Sequence, residues 1–165
     1  MKNNLVLGLG SNLGNRMAHI LHAIQCIEKN MNSDAITAHI YETPPWGNEN
    51  QPRFLNTTIS IETDYNIKEC LTHILQIEKQ MGRQRGKHWG PRIIDIDILF
   101  YNDVIYEDSD LIVPHKYLHE RAFVLAPLND ILPNFIHPIL KQPIQVLKHQ
   151  TSDNPTLFSR NKNII

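Results

Sequence analysis

Runs of apolar or alternating residues predict four β-strands in the first 101 positions of the chain. Each run is short, and Gly, Pro, Asn or Asp residues stand close to its ends, as is typical of strands bounded by turns. The third run alternates most regularly between polar and apolar residues, which predicts a strand with one buried face. The four predicted strands are residues 5–10, 35–43, 54–63 and 93–101.

Two segments between these strands carry apolar residues at helical spacing. The first covers residues 17–29, and the second ends near Gly82, a residue type that commonly follows the last turn of a helix. Ser, Asn and Asp side chains before each segment can accept hydrogen bonds from the first backbone N–H groups. The candidate caps are Ser11 and Asn12 for the first helix and Asp64 and Asn66 for the second.

The resulting order, strand, helix, strand, strand, helix, strand, matches the split βαβ arrangement of ferredoxin-like domains. We therefore expect an α+β fold, a ferredoxin-like βαββαβ sandwich with additional short strands and a C-terminal helix. A chain of 165 residues has the usual length of one domain. Residues 1–165 are thus expected to form a single domain, with a loosely ordered polar tail after Gln150.

Composition and charge narrow the class of protein further. The net charge of −1 gives no general reason to expect a nucleic acid or a membrane surface as a partner. No apolar stretch of the sequence approaches the ~20 residues that a membrane-spanning helix requires. Cys26 and Cys70 form no CxxC motif and are expected to be reduced. We therefore expect a cytoplasmic protein, and a monomer.

Asp95 and Asp97 are two residues apart in the fourth predicted strand, so their side chains point to the same face, with Cα atoms ~6.5 Å apart. Two neighbouring carboxylates repel each other unless a cation lies between them. Magnesium is a suitable cation because it binds one or two carboxylates together with waters and substrate phosphates. The alternative is the solvated face of a half-exposed strand, which ordinary period-2 alternation also explains.

The segment just before this strand, residues 83–92, is rich in Arg and Lys. A solvated basic surface is the plain alternative. Arginine, however, binds phosphate oxygens bidentately, and glycines on both sides of Trp89 would let a loop close over a ligand. Cations next to metal-binding aspartates predict polyphosphate chemistry. The basic candidates are Arg83, Arg85, Lys87 and Arg92.

Polar residues elsewhere supply further candidates. His115 and Arg121, in and after a Pro-His-Lys segment, can donate hydrogen bonds to phosphate oxygens. Glu78 borders the apolar stripe of the second helix, where it either forms a structural ion pair or orients a loop arginine. Phe54 and Asn56 share one face of the third strand, where a ring and an amide can hold a flat heterocycle. A core Phe54 and a solvent-facing Asn56 are the alternative.

Several known nucleotide-binding motifs are absent from the sequence. It contains no GxxxxGK[ST] motif and no HRD or DFG signature of protein kinases. The glycines at positions 8, 10 and 14 are one residue off the dinucleotide-binding fingerprint, and the predicted strand order does not fit it. Any nucleotide site is therefore expected to be of another kind.

Taken together, several segments resemble the hydroxymethyldihydropterin pyrophosphokinases of folate biosynthesis. Residues 88–99 closely resemble the signature of that family, and the other motifs follow in the same order from residue 5 to about residue 135. Departures are Lys116 in place of a tyrosine, Leu75 in place of a glutamine, and a loop one residue shorter, with Lys87 or His88 where another member has arginine. The similar segments are residues 8–14, 41–45, 54–56, 88–99, 113–115 and 121–123.

The resemblance implies that ATP and two Mg²⁺ ions are bound and that pyrophosphate passes from ATP to 6-hydroxymethyl-7,8-dihydropterin, with release of AMP. It implies metal ligands at Asp95 and Asp97. The implied catalytic residues are Arg83, Arg85, Arg92 and Trp89. The implied ATP-binding residues are His115, Lys116, Arg121 and Glu78. The implied pterin-binding residues are Thr43, Pro44, Trp46, Phe54, Asn56 and Phe123.

Other classes of function fit part of the same pattern. A metal-dependent phosphohydrolase would use the two aspartates to activate water, and a pterin- or nucleotide-binding regulator would bind without turnover. AMP formation that depends strictly on added pterin distinguishes the transferase from both. A nucleic-acid-binding module is disfavoured by the charge balance and by the lack of interleaved aromatic and basic residues on one strand.

Overall fold

The computed structural model describes residues 1–45, 49–83 and 91–162, which form helices and a largely antiparallel sheet. The strands are β1 (Asn3–Ser11), β2 (Ile36–Thr37), β3 (Ile40–Thr43), β4 (Phe54–Thr63), β5 (Asp95–Tyr101), β6 (Tyr106–Glu107), β7 (Ile112–Val113) and β8 (Thr156–Ser159). The helices are α1 (Arg16–Met31), α2 (Ile67–Gln80), α3 (Ala122–Ile131) and α4 (Ile144–His149), with a 3₁₀ turn at Leu118–Glu120.

The main sheet has the strand order β5-β1-β4-β3-β8, and each neighbouring pair is antiparallel. The short β2 also pairs with β4, while β6 and β7 pair with each other in a separate two-stranded sheet. The mixed helix-and-sheet class expected from the sequence is confirmed. The segment 35–43, predicted as one strand, instead forms the two short strands β2 and β3.

The two faces of the main sheet are covered by different helices. Helices α1 and α2 pack on one face, against a largely apolar layer of alternate strand residues. Helices α3 and α4 pack on part of the other face and form a second, smaller core. Alternation along β5 places Ile94, Ile96 and Ile98 in the buried layer, as the sequence predicts, and sends Asp95 and Asp97 to the opposite face.

The N-terminal caps explain where the first two helices begin. The predicted cap of α1 was wrong, because Ser11 ends β1 and Asn15 is the residue whose side chain accepts the Ala18 N–H at 3.1 Å. The alternative Asn66 for α2 is confirmed. Its side chain accepts hydrogen bonds from two backbone N–H groups. The Glu69 carboxylate in turn accepts a hydrogen bond from the Asn66 N–H, which completes a capping box.

Helix α3 is longer than the sequence predicts. The pattern indicates only a short helix near residues 117–123, because Pro127 looks like a stop signal. In the structure Pro127 lies inside α3. Burial of Val124, Leu125 and Leu128 against the sheet offsets the hydrogen bond that proline cannot make.

The C-terminal segment adds a strand that no apolar pattern in the sequence indicates. Strand β8 pairs with β3 and so covers the outer edge of the main sheet. The Asn161 side chain and backbone extend this contact by donating to the Thr37 carbonyl and to His39 Nδ1 at 2.7 and 2.8 Å. Within residues 1–45, 49–83 and 91–162, no helix is both long and apolar enough to cross a membrane.

Candidate functional site

One row of residues crosses the α3-covered face of the main sheet. In the register of the strands, Asp95 lies beside Gly10, Gly10 beside Asn56, and Asn56 beside Tyr41. Directly paired residues project their side chains to the same face. The carboxylates of β5 and the amide of β4 are therefore separated only by a glycine of β1, which places no side chain of its own in the space between them.

This space is part of a cleft with an empty volume of about 710 Å³, which includes its opening to solvent. Most of the candidate residues in the described ranges line it, with the acidic and basic ones towards β5 and the aromatic and amide ones towards β3 and β4. The predicted residues that line the cleft are Thr43, Pro44, Phe54, Asn56, Arg92, Asp95, Asp97, Arg121 and Phe123. The structure brings these residues together around one cleft, and their roles stay predictions.

The two aspartates have different electrostatic surroundings. Asp95 contacts two guanidinium groups, that of Arg83 at 3.0 Å and that of Arg92 at 3.3 Å. The Asp97 side chain is more exposed, at 42% against 26% for Asp95, and partial loss of water together with the neighbouring Asp95 charge raises its pKa, against the weaker opposing effect of Arg121. A carboxylate in this position gains stability from an added cation.

Arg83 connects the cleft to α2. Its guanidinium forms an ion pair with the buried carboxylate of Glu78, and its backbone N–H donates to the Glu78 carbonyl at 3.0 Å. Glu78 is 4% exposed and does not line the cleft. The arrangement favours the second of the two interpretations of Glu78, in which it orients an arginine, since Arg83 also reaches Asp95.

His115 lies at the edge of the acidic pair. Its Nε2 is 4.0 Å from an Asp97 carboxylate oxygen, and its Nδ1 accepts the Tyr117 N–H at 3.4 Å, which places the ring proton on Nε2. Burial and the nearby Arg121 charge lower the pKa of His115 to about 4, with a smaller opposing effect from Asp95. At neutral pH, His115 is therefore an uncharged N–H donor.

Arg121 is held between two aromatic rings. Its guanidinium carbon is 5.2 Å from the Tyr117 ring centre and 5.6 Å from that of Phe123, both within the range of cation–π attraction. The residue is 7% exposed and lines the cleft. The rings fix a planar cation at the boundary between the acidic and aromatic parts of the cleft.

Thr43 and Asn56 form the polar wall of the cleft. The Asn56 amide donates to the Thr43 hydroxyl at 2.6 Å, so its orientation is fixed. A Cβ at Gly10 would lie 2.8 Å from Asn56 Oδ1, closer than such contacts allow, whereas a Cβ at Gly8 would meet only Leu99 at 3.5 Å. Gly10 therefore makes room for the amide. In the sequence, the signal for this role is the alternation of glycines in β1, which partly matches a nucleotide-binding fingerprint.

Asn12 is a second residue whose role the sequence did not reveal. It is 1% exposed, and its amide nitrogen donates to Gln51 Oε1 and the Pro52 carbonyl at 2.9 and 3.0 Å. Its amide oxygen accepts the Arg92 N–H at 2.8 Å, and its own N–H donates to the Arg92 carbonyl. Asn12 thus joins the segment before β4 to the segment before β5, one on each side of the cleft.

Four predicted site residues lie elsewhere. Arg83, Glu78 and His115 stand behind or beside the cleft, as described above, and Lys116 is exposed, with its ammonium group 5.3 Å from the Tyr117 ring centre. Trp46, Arg85 and Trp89, together with Lys87 and His88, lie outside the described residues.

The chain is similar to known proteins both over a whole family and in individual sequences. Residues 6–133 match the family model described as 7,8-dihydro-6-hydroxymethylpterin-pyrophosphokinase. The 2-amino-4-hydroxy-6-hydroxymethyldihydropteridine pyrophosphokinase of Aquifex aeolicus (strain VF5) is 42% identical over 149 residues, which are 90% of this chain and 92% of the relative. The protein of the same name from Bacillus subtilis (strain 168) is 42% identical over 135 residues, 79% of each chain.

Solved structures show the same fold. The crystal structure of Plasmodium falciparum HPPK-DHPS with pteroate superposes with a TM-score of 0.72 at 21% identity, covering 91% of this chain. The present chain spans 42% of the length of that HPPK-DHPS chain. At 21% identity, this similarity shows a shared fold.

Proposed function

The chain belongs to the 7,8-dihydro-6-hydroxymethylpterin-pyrophosphokinase family, and from this premise we propose that it transfers pyrophosphate from ATP to 6-hydroxymethyl-7,8-dihydropterin. The hydroxymethyl oxygen forms a bond to the β-phosphorus, the bond from that phosphorus to the α,β-bridging oxygen breaks, and the hydroxyl proton is released. The products are AMP and the pterin diphosphate, an intermediate of tetrahydrofolate biosynthesis. The observation that carries the proposal is the single cleft that combines a carboxylate pair with an aromatic and amide wall.

The aromatic and amide part of the cleft suits the pterin. Phe54 and Phe123 both line it and offer faces on which a flat heterocycle can stack. Asn56 and Thr43 supply the hydrogen-bonding groups that select the edge of such a ring. Pro44 lies next to them, and Trp46 is proposed to complete this side.

The acidic part suits magnesium and the triphosphate. Asp95 and Asp97 are hard oxygen donors, and the Asp95 charge contributes to the raised pKa of Asp97, so a cation held by both carboxylates would relieve their repulsion. Magnesium needs only one or two protein carboxylates, because phosphates and waters fill its other positions. The residues therefore fit the two Mg²⁺ ions of the proposal, and bound metal would neutralise charge on the phosphate oxygens.

The remaining charged residues would orient the triphosphate. Arg121 and Arg92 line the cleft with fixed guanidinium planes, which match phosphate oxygens bidentately. Neutral His115 offers one N–H donor beside Asp97. Arg83 is proposed to act from its anchored position on Glu78, and Lys116, Arg85 and Trp89 are proposed to contact ATP or close over it.

In this mechanism the protein acts by positioning and electrostatics. The stacked pterin would present its hydroxymethyl oxygen towards the acidic part of the cleft, in line with the β-phosphorus. The arginines would stabilise the charge that develops on the transferred oxygens.

Four finer features belong to the same proposal. The βαββαβ order and the sheet order β5-β1-β4-β3 support a ferredoxin-like topology. We propose a single domain over residues 1–165, since the described elements share one main sheet, and a monomer. Cytoplasmic location is proposed because the reaction consumes ATP, and the free thiols of Cys26 and Cys70 are consistent with it.

Mass-spectrometric analysis of products tests the proposal. The protein is incubated with ATP and Mg²⁺, with and without 6-hydroxymethyl-7,8-dihydropterin. We expect AMP and pterin diphosphate in equal amounts, and neither product when the pterin is omitted. Release of inorganic phosphate without the pterin would contradict the transferase and favour a hydrolase.

A further inference from the structure

A hydrogen-bonded pair, Tyr41 and Asp130, connects β3 to the last turn of α3. The Tyr41 hydroxyl lies 2.8 and 3.0 Å from the two carboxylate oxygens of Asp130. The same carboxylate accepts the His39 N–H at 3.3 Å. Neither Tyr41 nor Asp130 lines the cleft, and the proposed chemistry uses neither of them.

Tyr41 is closely linked to the polar wall. It lies directly opposite Asn56 in the register of β3 and β4, and it shares a face with Thr43, two residues further along β3. Its side chain therefore emerges from the same face as the wall. Any movement of β3 away from α3 would carry Thr43, and the amide hydrogen-bonded to it, in the same direction.

Asp130 is linked to the opposite wall. It is seven residues after Phe123 in α3, which corresponds to about two turns, or ~10 Å, of a rigid helix. Helix α3 packs on β4 and β3. Fixing its last turn to β3 therefore determines where its first turn, with Phe123, lies above the sheet.

The hydrogen bond between Tyr41 and Asp130 is suited to holding β3 and α3 at a fixed distance. A carboxylate acceptor makes a shorter and stronger hydrogen bond than a neutral one. Burial, and then the hydrogen bond to Asp130, raise the pKa of Tyr41, so the phenol keeps its proton and remains a donor. Strand β8 already holds the outer edge of β3 within the plane of the sheet. The Tyr41–Asp130 pair therefore controls the distance between β3 and α3.

We propose that Tyr41 and Asp130 are positioning residues that set the width of the cleft between Phe123 and the Thr43–Asn56 wall, and thereby the affinity for the pterin ring. This inference depends on the proposed function, because it assumes that the ring stacks on Phe123. A gap of 0.5–1 Å removes roughly a quarter to a half of the attraction between atoms in contact. Pterin binding is therefore sensitive to a small displacement of α3. ATP binding is much less sensitive, because among its proposed contacts only Arg121 directly adjoins α3.

Binding measurements on single and double variants test this inference. Calorimetry gives the Kd of hydroxymethyldihydropterin and, separately, the Kd of a non-hydrolysable ATP analogue with Mg²⁺. We expect Tyr41→Phe and Asp130→Ala each to raise the pterin Kd by about ten-fold, and the double variant to raise it no further than Asp130→Ala alone, because that change already removes the hydrogen bond that Tyr41→Phe breaks. The Kd of the ATP analogue should stay within about two-fold of its original value.

Two comparisons separate positioning from general stability. Asp130→Asn keeps an oxygen that accepts from Tyr41, so it should restore most of the pterin affinity. Tyr106→Phe removes a similar tyrosine–aspartate hydrogen bond, to Asp108 near β6 and remote from the cleft, and should leave both Kd values unchanged.

Three outcomes would overturn the inference. Unchanged pterin affinity in Tyr41→Phe would show that the pair does not set the cleft. Equal loss of pterin and ATP-analogue affinity would show that the pair supports only overall stability. If the unaltered protein binds the ATP analogue but no pterin, the proposed function itself fails, and this inference fails with it.

Discussion

Leu7 and Gly8 are neighbours in β1, yet they belong to different layers of the molecule. Leu7 is completely buried between the main sheet and the layer of α1 and α2. Gly8 lies in the floor of the cleft, and its cross-strand partner on β5 is Asp97. The same alternation separates Ile96 from Asp97. One set of strands thus supplies an apolar layer for stability and a polar, open layer for binding.

This difference has a direct consequence for mutagenesis. Because the layers use alternate residues, a substitution on one face leaves the contacts of the other face largely in place. Variants of the apolar layer should change the free energy of unfolding but not the kinetics of the folded protein. Variants of the cleft should change the kinetics with little effect on unfolding.

The largest effect is expected for Asp97→Ala. Losing a metal-binding carboxylate removes several kcal/mol of charge stabilisation, and each ~1.4 kcal/mol is a factor of ten, so turnover should fall about a thousand-fold. The melting temperature should not fall, because the Asp97 carboxylate is repelled by the neighbouring Asp95 charge. Rates of AMP formation and a thermal melt measure both effects. The control is Asp103→Ala, which removes an exposed aspartate outside the cleft and should leave turnover unchanged. Near-normal turnover of Asp97→Ala would contradict the metal assignment.

On the opposite face, Leu7→Ala should act on stability alone. Truncating a fully buried leucine costs about 2–5 kcal/mol, since it leaves a cavity in the apolar layer. Urea denaturation measures this loss. The KM for the pterin should remain unchanged for the protein that is still folded, and a large rise in this KM would show that the two layers are not independent.

An intermediate effect is expected at Gly10. In Gly10→Ala the new methyl group would displace the Asn56 amide, because its carbon would lie 2.8 Å from Oδ1. We expect the pterin Kd to rise ten-fold or more, by about 1.4 kcal/mol or more, from the lost hydrogen bonding of the wall. Gly8→Ala is the matched comparison, since its methyl group meets only Leu99 at ordinary contact distance, and should have a smaller effect. Equal pterin affinities of the two variants would contradict the role of Gly10.

The smallest effect concerns pH and the core behind α3. His137 Nδ1 accepts the N–H groups of Ile139 and Leu140 at 3.2 and 3.1 Å, and burial, followed by the His119 charge, lowers the pKa of His137 to about 4. The unfolded chain, with a histidine pKa near ~6.5, binds the proton first. Stability is therefore complete above pH ~6.5 and falls by about 1 kcal/mol between pH 7 and 5.5.

The variant His137→Asn separates this effect from other titrating groups. Its amide oxygen can accept the same N–H groups at any pH. The difference in unfolding free energy between the two proteins should therefore change by about 1 kcal/mol between pH 7 and 5.5. Urea titrations at pH 7 and 5.5 provide the measurement. A difference that does not vary with pH would show that His137 does not limit stability in acid.

The sequence predicts the residues of the polar layer well where their placement depends only on neighbouring positions in the chain. The spacing of Asp95 and Asp97 in an alternating strand is enough to place both carboxylates on one face. The same reasoning places Phe54 with Asn56. The bounds of β4 and the cap of α2 at Asn66 also follow from local pattern, because each depends on residues next to one another in the chain.

Features that depend on distant contacts could not be predicted in this way. Pro127 within α3 is tolerated only because the sheet buries its neighbours, and this burial is not visible in the local sequence. The role of Gly10 requires the register of β1 with β4, and the role of Asn12 requires two loops that are distant in sequence. The pairing of Tyr41 with Asp130 spans 89 residues.

The central claim is that the pterin binds on the polar face of the main sheet. Methyl NMR during titration with 6-hydroxymethyl-7,8-dihydropterin tests it most directly, because both layers carry methyl groups. We predict shifts for Thr43, Leu99 and Val124, which line the cleft, and none for Leu7 and Ile59 in the apolar layer. Shifts confined to the apolar layer, or no shifts at saturating pterin, would contradict the account.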